Sequence, residues 1–286
     1  MAIVGFVAHP LRSGAVALAE HTAAWLNSRG HEAVMLDGDD RPDGREVTGH
    51  LEDLPDIALA VSLGGDGTML RTVDLVCSAG VPVLGVNLGH LGYLTAVEPE
   101  ALRDALDRFL TGAYQVEPRM TLDVSVLDHC DDGAVTVLHR SALNDLVLQR
   151  SPGGRTVRAE LAVSGQSFLR FAADSLIVAT PTGSTAYNLS ARGPIVSPRA
   201  RVQIVTPVAP HGLFDRSIVL AADEEVTIAT IDGTSSDLVV DGRVASTLGP
   251  GQVLRCRQGV RDALLVTFGQ RDFHRILKRK FNLTDS

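Results

Sequence analysis

Apolar residues fall along this chain in two textures, and the change between them comes at Glu117-Pro118. In the first texture, short continuous apolar runs alternate with stretches whose apolar positions recur every three or four residues. Ile3–Ala8, 33–36, 57–63 and 81–86 are runs of the kind buried on both faces of a sheet. Between them Ala15, Leu18, Ala19, Thr22, Trp25 and Leu26 share one helical face, with Gly30 as its stop. Residues 69–79 and 99–110 read as further helices, and 37–56 as an acidic, glycine-bearing loop with at most a short helix. Strands alternating with helices predict an open parallel α/β sheet.

From Met120 onward the runs are short and β-like, with turn residues between them: 122–126, 135–138, 146–148, 157–163, 175–179, 202–205, 226–230, 238–240, 253–256 and 264–268. Such spacing without long helices predicts a β-rich, sandwich-like domain. Residues 271–281 return to helical spacing, with basic residues ahead of Phe281. The expected organisation is an α/β domain over 1–117, a β-rich domain over 118–268, and a helical tail over 269–286 packing back on the first domain.

Composition narrows the class. The chain has 286 residues, 45% of them apolar and 21% charged, as an ordinary globular protein does. A net charge of −8 argues against broad binding to nucleic acid or to an anionic membrane. Cys77, Cys130 and Cys256 are odd in number and lack CxxC spacing, so neither a disulfide framework nor a cysteine zinc site is expected. Met1-Ala2-Ile3-Val4-Gly5-Phe6-Val7 has no basic n-region and reads as a strand; no apolar run approaches a membrane span, so the expected compartment is the cytoplasm. Lysine occurs only as Lys278 and Lys280. No glycine-rich loop holds one, which excludes a Walker-type P-loop.

The candidate chemistry starts at Gly64-Gly65-Asp66-Gly67-Thr68, directly after the run 57–63. Glycines let backbone approach a ligand closely, and a helix starting here offers free N–H groups to an anion. A carboxylate in such a turn repels phosphate unless it holds a metal ion or takes a proton from an attacking hydroxyl. The plain alternative is a strand-to-helix turn with Asp66 or Thr68 as cap. A second constellation runs from Asp174 through the strand 175–179 to Thr180-Pro181-Thr182-Gly183-Ser184-Thr185-Ala186-Tyr187-Asn188-Leu189-Ser190. Hydroxyls, an amide and backbone N–H groups suit a ribose and pyrophosphate, and Tyr187 offers a ring face. Its plain alternative is a loop entering a helix with Ser184 or Thr185 as N-cap. Asn144-Asp145 interrupts an apolar strand and suits sugar hydroxyls or an adenine edge, with a simple turn as the alternative.

Together these segments resemble the NAD kinase family. The resemblance rests on Gly64-Gly65-Asp66-Gly67-Thr68, Asn87-Leu88-Gly89-His90-Leu91-Gly92-Tyr93-Leu94, Asn144-Asp145, the D-x5-T-P-T-G-S-T-A-Y run from Asp174 to Tyr187, Pro207-Val208-Ala209-Pro210-His211 and Asp241-Gly242. It implies that Gly64, Gly65, Gly67 and Thr68 hold phosphates and that Asp66 accepts the proton of the adenosine 2′-hydroxyl of NAD. By the same resemblance Asp66, Gly67, Arg71, Asn144, Asp145, Arg155, Asp174, Thr185, Ala186, Tyr187, Asn188, Leu189, Ser190, Ala209 and Arg243 border the dinucleotide. The implied substrates are NAD and ATP or polyphosphate, with a divalent cation, Mg²⁺, and the implied assembly is a homodimer or homotetramer. No protein metal ligands are assigned. The chain departs from the family pattern in three places: Asp145 stands where Glu is commoner, Ala191-Arg192-Gly193-Pro194 where many relatives have a double glycine before proline, and Ala172 where some carry a basic residue.

In-line phosphoryl transfer needs positioning and charge stabilisation more than covalent chemistry from the protein. The turn, Mg²⁺ and arginine supply these without lysine. Two other readings start from the same residues. One is a lipid or sugar-phosphate kinase sharing the GGDG turn, which has no use for the second constellation. The other is a non-catalytic dinucleotide-binding protein or dehydrogenase, against which stand the missing G-x-G-x-x-G fingerprint and the lack of a hydride-transfer pair. His211 reads as structural.

Overall fold

A computed structural model describes residues 1–36, 56–89, 92–130, 133–154, 156–231, 235–269 and 272–283. The loop expected over 37–56 therefore lies almost wholly outside the described residues, as does Arg155. The chain forms two compact units, one comprising 1–118 with 263–286 and the other 119–262.

In the first unit, strands β1 (Ile3–Ala8), β2 (Glu32–Met35), β3 (Ile57–Gly64), β4 (Val83–Asn87) and β5 (Gln115–Arg119) join with helices α1 (Ser13–Ser28), α2 (Asp66–Val76) and α3 (Leu102–Leu110). The sheet runs β2-β1-β3-β4, continues into the late strand β18 (Ala263–Thr267), and ends at β5. The pairs β1–β2, β1–β3, β3–β4 and β4–β18 are all parallel. The run 264–268 had been expected in the β-rich domain. It is instead a strand of the first sheet, because an apolar run such as Ala263-Leu264-Leu265-Val266 fits in a parallel sheet whose two faces are both covered. Helix α3 shows why the helical reading succeeds: Leu102, Ala105, Leu106 and Phe109 are its buried residues, at the three-and-four spacing of one face. They join Val4, Phe6, Leu59, Val61, Leu63 and Leu84 in one core.

The second unit is a pair of antiparallel sheets. One contains β6 (Leu122–Cys130), β7 (Gly133–Ala142), β9 (Val157–Val163), β10 (Gln166–Ala173), β14 (Val226–Thr230) and β17 (Val253–Gln258), in the order β10-β9-β14-β17-β6-β7. The other contains β8 (Asp145–Arg150), β11 (Ser175–Ala179), β12 (Val202–Val208), β13 (Ile218–Ala221), β15 (Ser236–Val240) and β16 (Arg243–Leu248), in the order β13-β12-β11-β8-β15-β16. Alternate residues from both sheets meet in one core, including Leu122, Val124, Leu146, Leu148, Ala159, Leu176, Val178 and Leu254. The other face of β8 and β11 is covered as well. Val147, Ile177 and Ala179 pack there against Ala191 and Val196, from the segment after the short helix α4 (Tyr187–Ser190). That second covering is why β11 reads as an unbroken apolar run.

Candidate functional site

The turn Gly64-Gly65-Asp66-Gly67-Thr68 leaves the buried end of β3 and enters α2 within two residues. Gly65 is the N-cap and no side chain caps the helix, so the first-turn N–H groups must find partners outside it. This departs from the capping alternative. Asp66 opens α2, and its carboxylate turns away to another segment: Oδ2 accepts from the Tyr93 N–H at 2.9 Å and Oδ1 from the Leu94 N–H at 3.0 Å. An ionised carboxylate has about four lone-pair sites, so two such bonds fix its direction and leave acceptor capacity on each oxygen.

Glycine is required twice in this arrangement. A Cβ on Gly92 would lie 2.3 Å from Asp66 Oδ1, and one on Gly64 would lie 2.1 Å from Thr68 Oγ1. Next door, Leu88 N–H donates to the Gly64 carbonyl at 2.9 Å, while the Asn87 amide folds onto Gly89. Residues 87–89 and 92–94 are thus the partners of the turn. Arg71 is only 8% exposed on α2, so most of its guanidinium is inside the unit and little is presented to a phosphate from solvent. Gly67 is exposed and Gly65 half-buried, which keeps the glycine backbone itself accessible.

In the second unit a separate group forms where β7 gives way to β8. The Asp241 carboxylate accepts from the N–H groups of Leu143 (2.8 Å), Asn144 (2.7 Å) and Asp145 (3.1 Å), and the Asp241 N–H returns a bond to the Asp145 carbonyl at 2.9 Å. Thr180 closes the far side: its N–H donates to the Asn144 carbonyl and its hydroxyl to the Leu143 carbonyl, while accepting from the Gly183 N–H. Gly183 sits so close that a Cβ would come 2.0 Å from the Asn144 carbonyl oxygen. Asn144-Asp145, the Thr180-Pro181-Thr182-Gly183 corner and Asp241-Gly242, scattered in sequence, are therefore one hydrogen-bonded knot. Arg243 begins β16 immediately beyond it. Asp145 is 4% exposed; burial first, and then the neighbouring Asp241 charge, push its carboxyl up to about 7.

The loop after β11 differs from expectation in its inner residues. Ser184 is not a cap: its hydroxyl donates to the Pro181 carbonyl and accepts from the Val196 N–H. Ala186 precedes α4 without side-chain capping. Asn188, expected to border a dinucleotide, is fully buried. Its amide donates to the carbonyls of Ser184 and Pro194 and accepts from the Thr206 hydroxyl, so both of its donors are used inside the unit. It holds the loop that displays its neighbours. Tyr187 is exposed at 41%, Ser190 is exposed, and Thr185, Ala186 and Leu189 are half-buried.

Asp174 belongs to a different place from Thr180. The two flank opposite ends of β11, roughly 20 Å apart along an extended strand. Asp174 lies at 3.4 Å from the Arg150 guanidinium, in a cleft of about 580 Å³ lined by Arg150, Gly154, Thr156, Arg158, Ala172, Asp174 and His211. Residues 185–190 do not line that cleft, although the sequence reading had grouped them with Asp174. Ala209 is near it, since Val208 and His211 bond to Asp174 and Ala172 through backbone. Its φ of +47° is rare for a residue other than glycine, and such strain concentrates at functional sites. Sequence reasoning named Gly92 and Thr180 only within motifs and missed their contacts, as it missed the anchoring part of Asp241. The signal for the last was present: Asp-Gly between two apolar runs marks a two-residue hairpin, and Asp241 and Gly242 both have positive φ.

Two family models match the chain: an ATP-NAD kinase N-terminal domain over residues 4–114 and an ATP-NAD kinase C-terminal domain over residues 143–268. An NAD kinase of Heliobacterium modesticaldum is 38% identical over 290 residues, covering 98% of each chain. One from Geotalea daltonii is 37% identical over 268 residues, covering 93% of each. Among solved structures, a yeast NADH kinase in complex with NADH superposes with a TM-score of 0.84 at 23% identity, covering 100% of this chain and 89% of the other; that likeness concerns the fold.

Proposed function

This chain belongs to the NAD kinase family, and from that premise we propose that it transfers the γ-phosphoryl group of ATP to the adenosine 2′-hydroxyl of NAD, giving NADP and ADP. The observation that carries the mechanism is the Asp66 carboxylate, aimed by the Tyr93 and Leu94 N–H groups at the start of an uncapped helix. In the proposed step the 2′-oxygen attacks the γ-phosphorus in line, the bond to the ADP oxygen breaks, and the hydroxyl proton passes to Asp66. At neutral pH an ordinary carboxylate is a weak base, so Asp66 orients the hydroxyl first and takes its proton as the new P–O bond forms. The backbone of Gly64, Gly65, Gly67 and Thr68 and the positive end of α2 face the phosphate charge. Asn144, Asp145 and Arg243, with Thr185, Ala186, Tyr187, Leu189 and Ser190, are assigned to the dinucleotide, and Asp174 and Ala209 to its contacts at the arginine-lined cleft.

The donor set suits a cation that arrives with its phosphates. Among the described residues no three His, Cys, Asp or Glu side chains converge. Mg²⁺ commonly relies on substrate phosphates with few carboxylates, and we write it as part of the donor, whose charge it neutralises. No helix among the described residues is long and apolar enough to cross a membrane, and we assign the enzyme to the cytoplasm. We assign it a homodimeric or homotetrameric state, which light scattering measures. Val135 and Val137 on β7 and Val244 on β16, exposed on strands at sheet edges, are surface that such an assembly can cover.

The test is NADP formation from NAD with ATP or polyphosphate, with and without Mg²⁺, by wild type and Asp66→Asn. Wild type is expected to turn over with Mg²⁺ and ATP, and the variant to lose turnover while NAD binding persists. Near-normal turnover by Asp66→Asn removes Asp66 from its role. Phosphorylation of a diacylglycerol or sugar phosphate in place of NAD overturns the substrate assignment.

A further inference from the structure

The phosphate turn contains no lysine, yet the fold brings one of the chain's only two lysines to the segment that aims Asp66. Helix α5 (Phe273–Lys280) is capped at its start by Asp272, whose carboxylate accepts from the Arg275 N–H at 3.0 Å, and it carries Lys278, Arg279 and Lys280 in its last turn. A basic last turn by itself only complements the helix dipole. Lys280 has a further contact: its Nζ lies 4.6 Å from the centroid of the Tyr93 ring, inside cation–π range. Tyr93 is also the residue whose N–H holds Asp66 Oδ2, between Gly92, which must lack a Cβ for the carboxylate to fit, and Leu94, which holds Oδ1. The ring is electrostatically close to that carboxylate, since burial and then the Asp66 charge raise the Tyr93 phenol above its ordinary value. Lysine, ring, backbone N–H and carboxylate thus form a short relay within the first unit.

We propose that Lys280 is a positioning residue for phosphoryl transfer: its ammonium, seated on the Tyr93 ring, pins residues 92–94 and so holds the Asp66 carboxylate in its working direction. The proposal rests on the kinase reading above. It gives the C-terminal helix a part in the reaction that no glycine-rich motif reveals. Because the lysine acts through Tyr93, the loss should fall on turnover and leave substrate affinity alone. Charge and ring, not the particular side chains, are what the relay requires.

The experiment measures steady-state NADP formation and melting temperature for the full chain as Lys280→Met, Lys280→Arg, Tyr93→Phe, Tyr93→Leu and Lys280→Met/Tyr93→Leu. Lys280→Met is expected to lower kcat by about two- to fivefold, the range of one exposed cation–π contact, with KM for NAD and ATP and the melting temperature held. Lys280→Arg and Tyr93→Phe are expected to keep most activity, and the double variant to be no slower than Tyr93→Leu alone. Wild-type kcat in Lys280→Met overturns the proposal and leaves the kinase reading intact. So does a loss that Arg does not restore, or one that appears equally in KM and melting temperature. A wild-type chain that forms no NADP overturns both.

Discussion

At the scale of single residues, the site depends on where a side chain is missing. Gly92 lies against Asp66 so closely that Ala there must push the carboxylate or its own loop aside. We expect Gly92→Ala to lower kcat by on the order of 10²-fold, since a displacement near 1 Å at a reacting group has that effect. Stopped assays beside a melting curve check that the fold survives. Arg192 shows the opposite case. It has φ of +64°, in the left-handed region that favours glycine. A side chain in that region costs about 1 kcal/mol, so Arg192→Gly should stabilise the protein by up to that amount in urea unfolding. Gly193 beside it cannot be exchanged for alanine, because a Cβ there would meet the Asn188 amide at 2.1 Å.

At the scale of elements, the hairpin β15–β16 is a structural clamp as well as a turn. Its Asp241-Gly242 corner takes positive φ at both residues, which points the Asp241 carboxylate back at three consecutive N–H groups. Asp241→Ala leaves those donors without their acceptor in a largely buried setting. Each unsatisfied group costs about 1–3 kcal/mol, with partial relief from water. We therefore expect at least about 2 kcal/mol of lost stability by that estimate, read from chemical denaturation, and weakened NAD binding by calorimetry. The elements themselves were largely legible: the three-and-four spacing in α3 and the apolar runs of β3 and β11 are direct readings of which faces are covered. The Asp241 clamp was not. A hairpin signal marks a turn, and only the folded register decides that its carboxylate meets Leu143, Asn144 and Asp145.

At the scale of the whole molecule, the buried Asp145 carboxyl makes stability depend on pH. The folded state raises Asp145 to about 7, chiefly by burial, so between roughly pH 4 and 7 the folded chain holds a proton that the unfolded chain has released. Such a group contributes stability that is fully present below the unfolded value and lost as pH rises through the folded one. Wild-type melting temperature should thus fall from pH 5 to pH 8 more than that of Asp145→Asn, whose amide does not titrate. An identical slope in the two proteins removes Asp145 as the cause. The same scale explains the course of the chain. It leaves the first unit after Pro118 and returns at Ala263, so that β18 completes the parallel sheet and α5 joins the same unit.

Local rules settled much of this protein in advance. Periodicity separated an α/β unit from a β-rich one, because burial on one face or both imposes its period on any sequence. Glycine and carboxylate chemistry singled out Asp66, because few other reasons place an acid in a phosphate-friendly turn. The spaced motifs pointed to the family that the comparisons then established. Contacts between residues distant in sequence were decided by the tertiary structure alone. Asp66 is held by a loop 27 residues on, Asp241 meets the N–H groups of Leu143, Asn144 and Asp145, and Lys280 reaches Tyr93. The physical reason is the same in each case. Burial, register and hydrogen-bond saturation belong to pairs of residues, and a single sequence names the residues without naming the pairs.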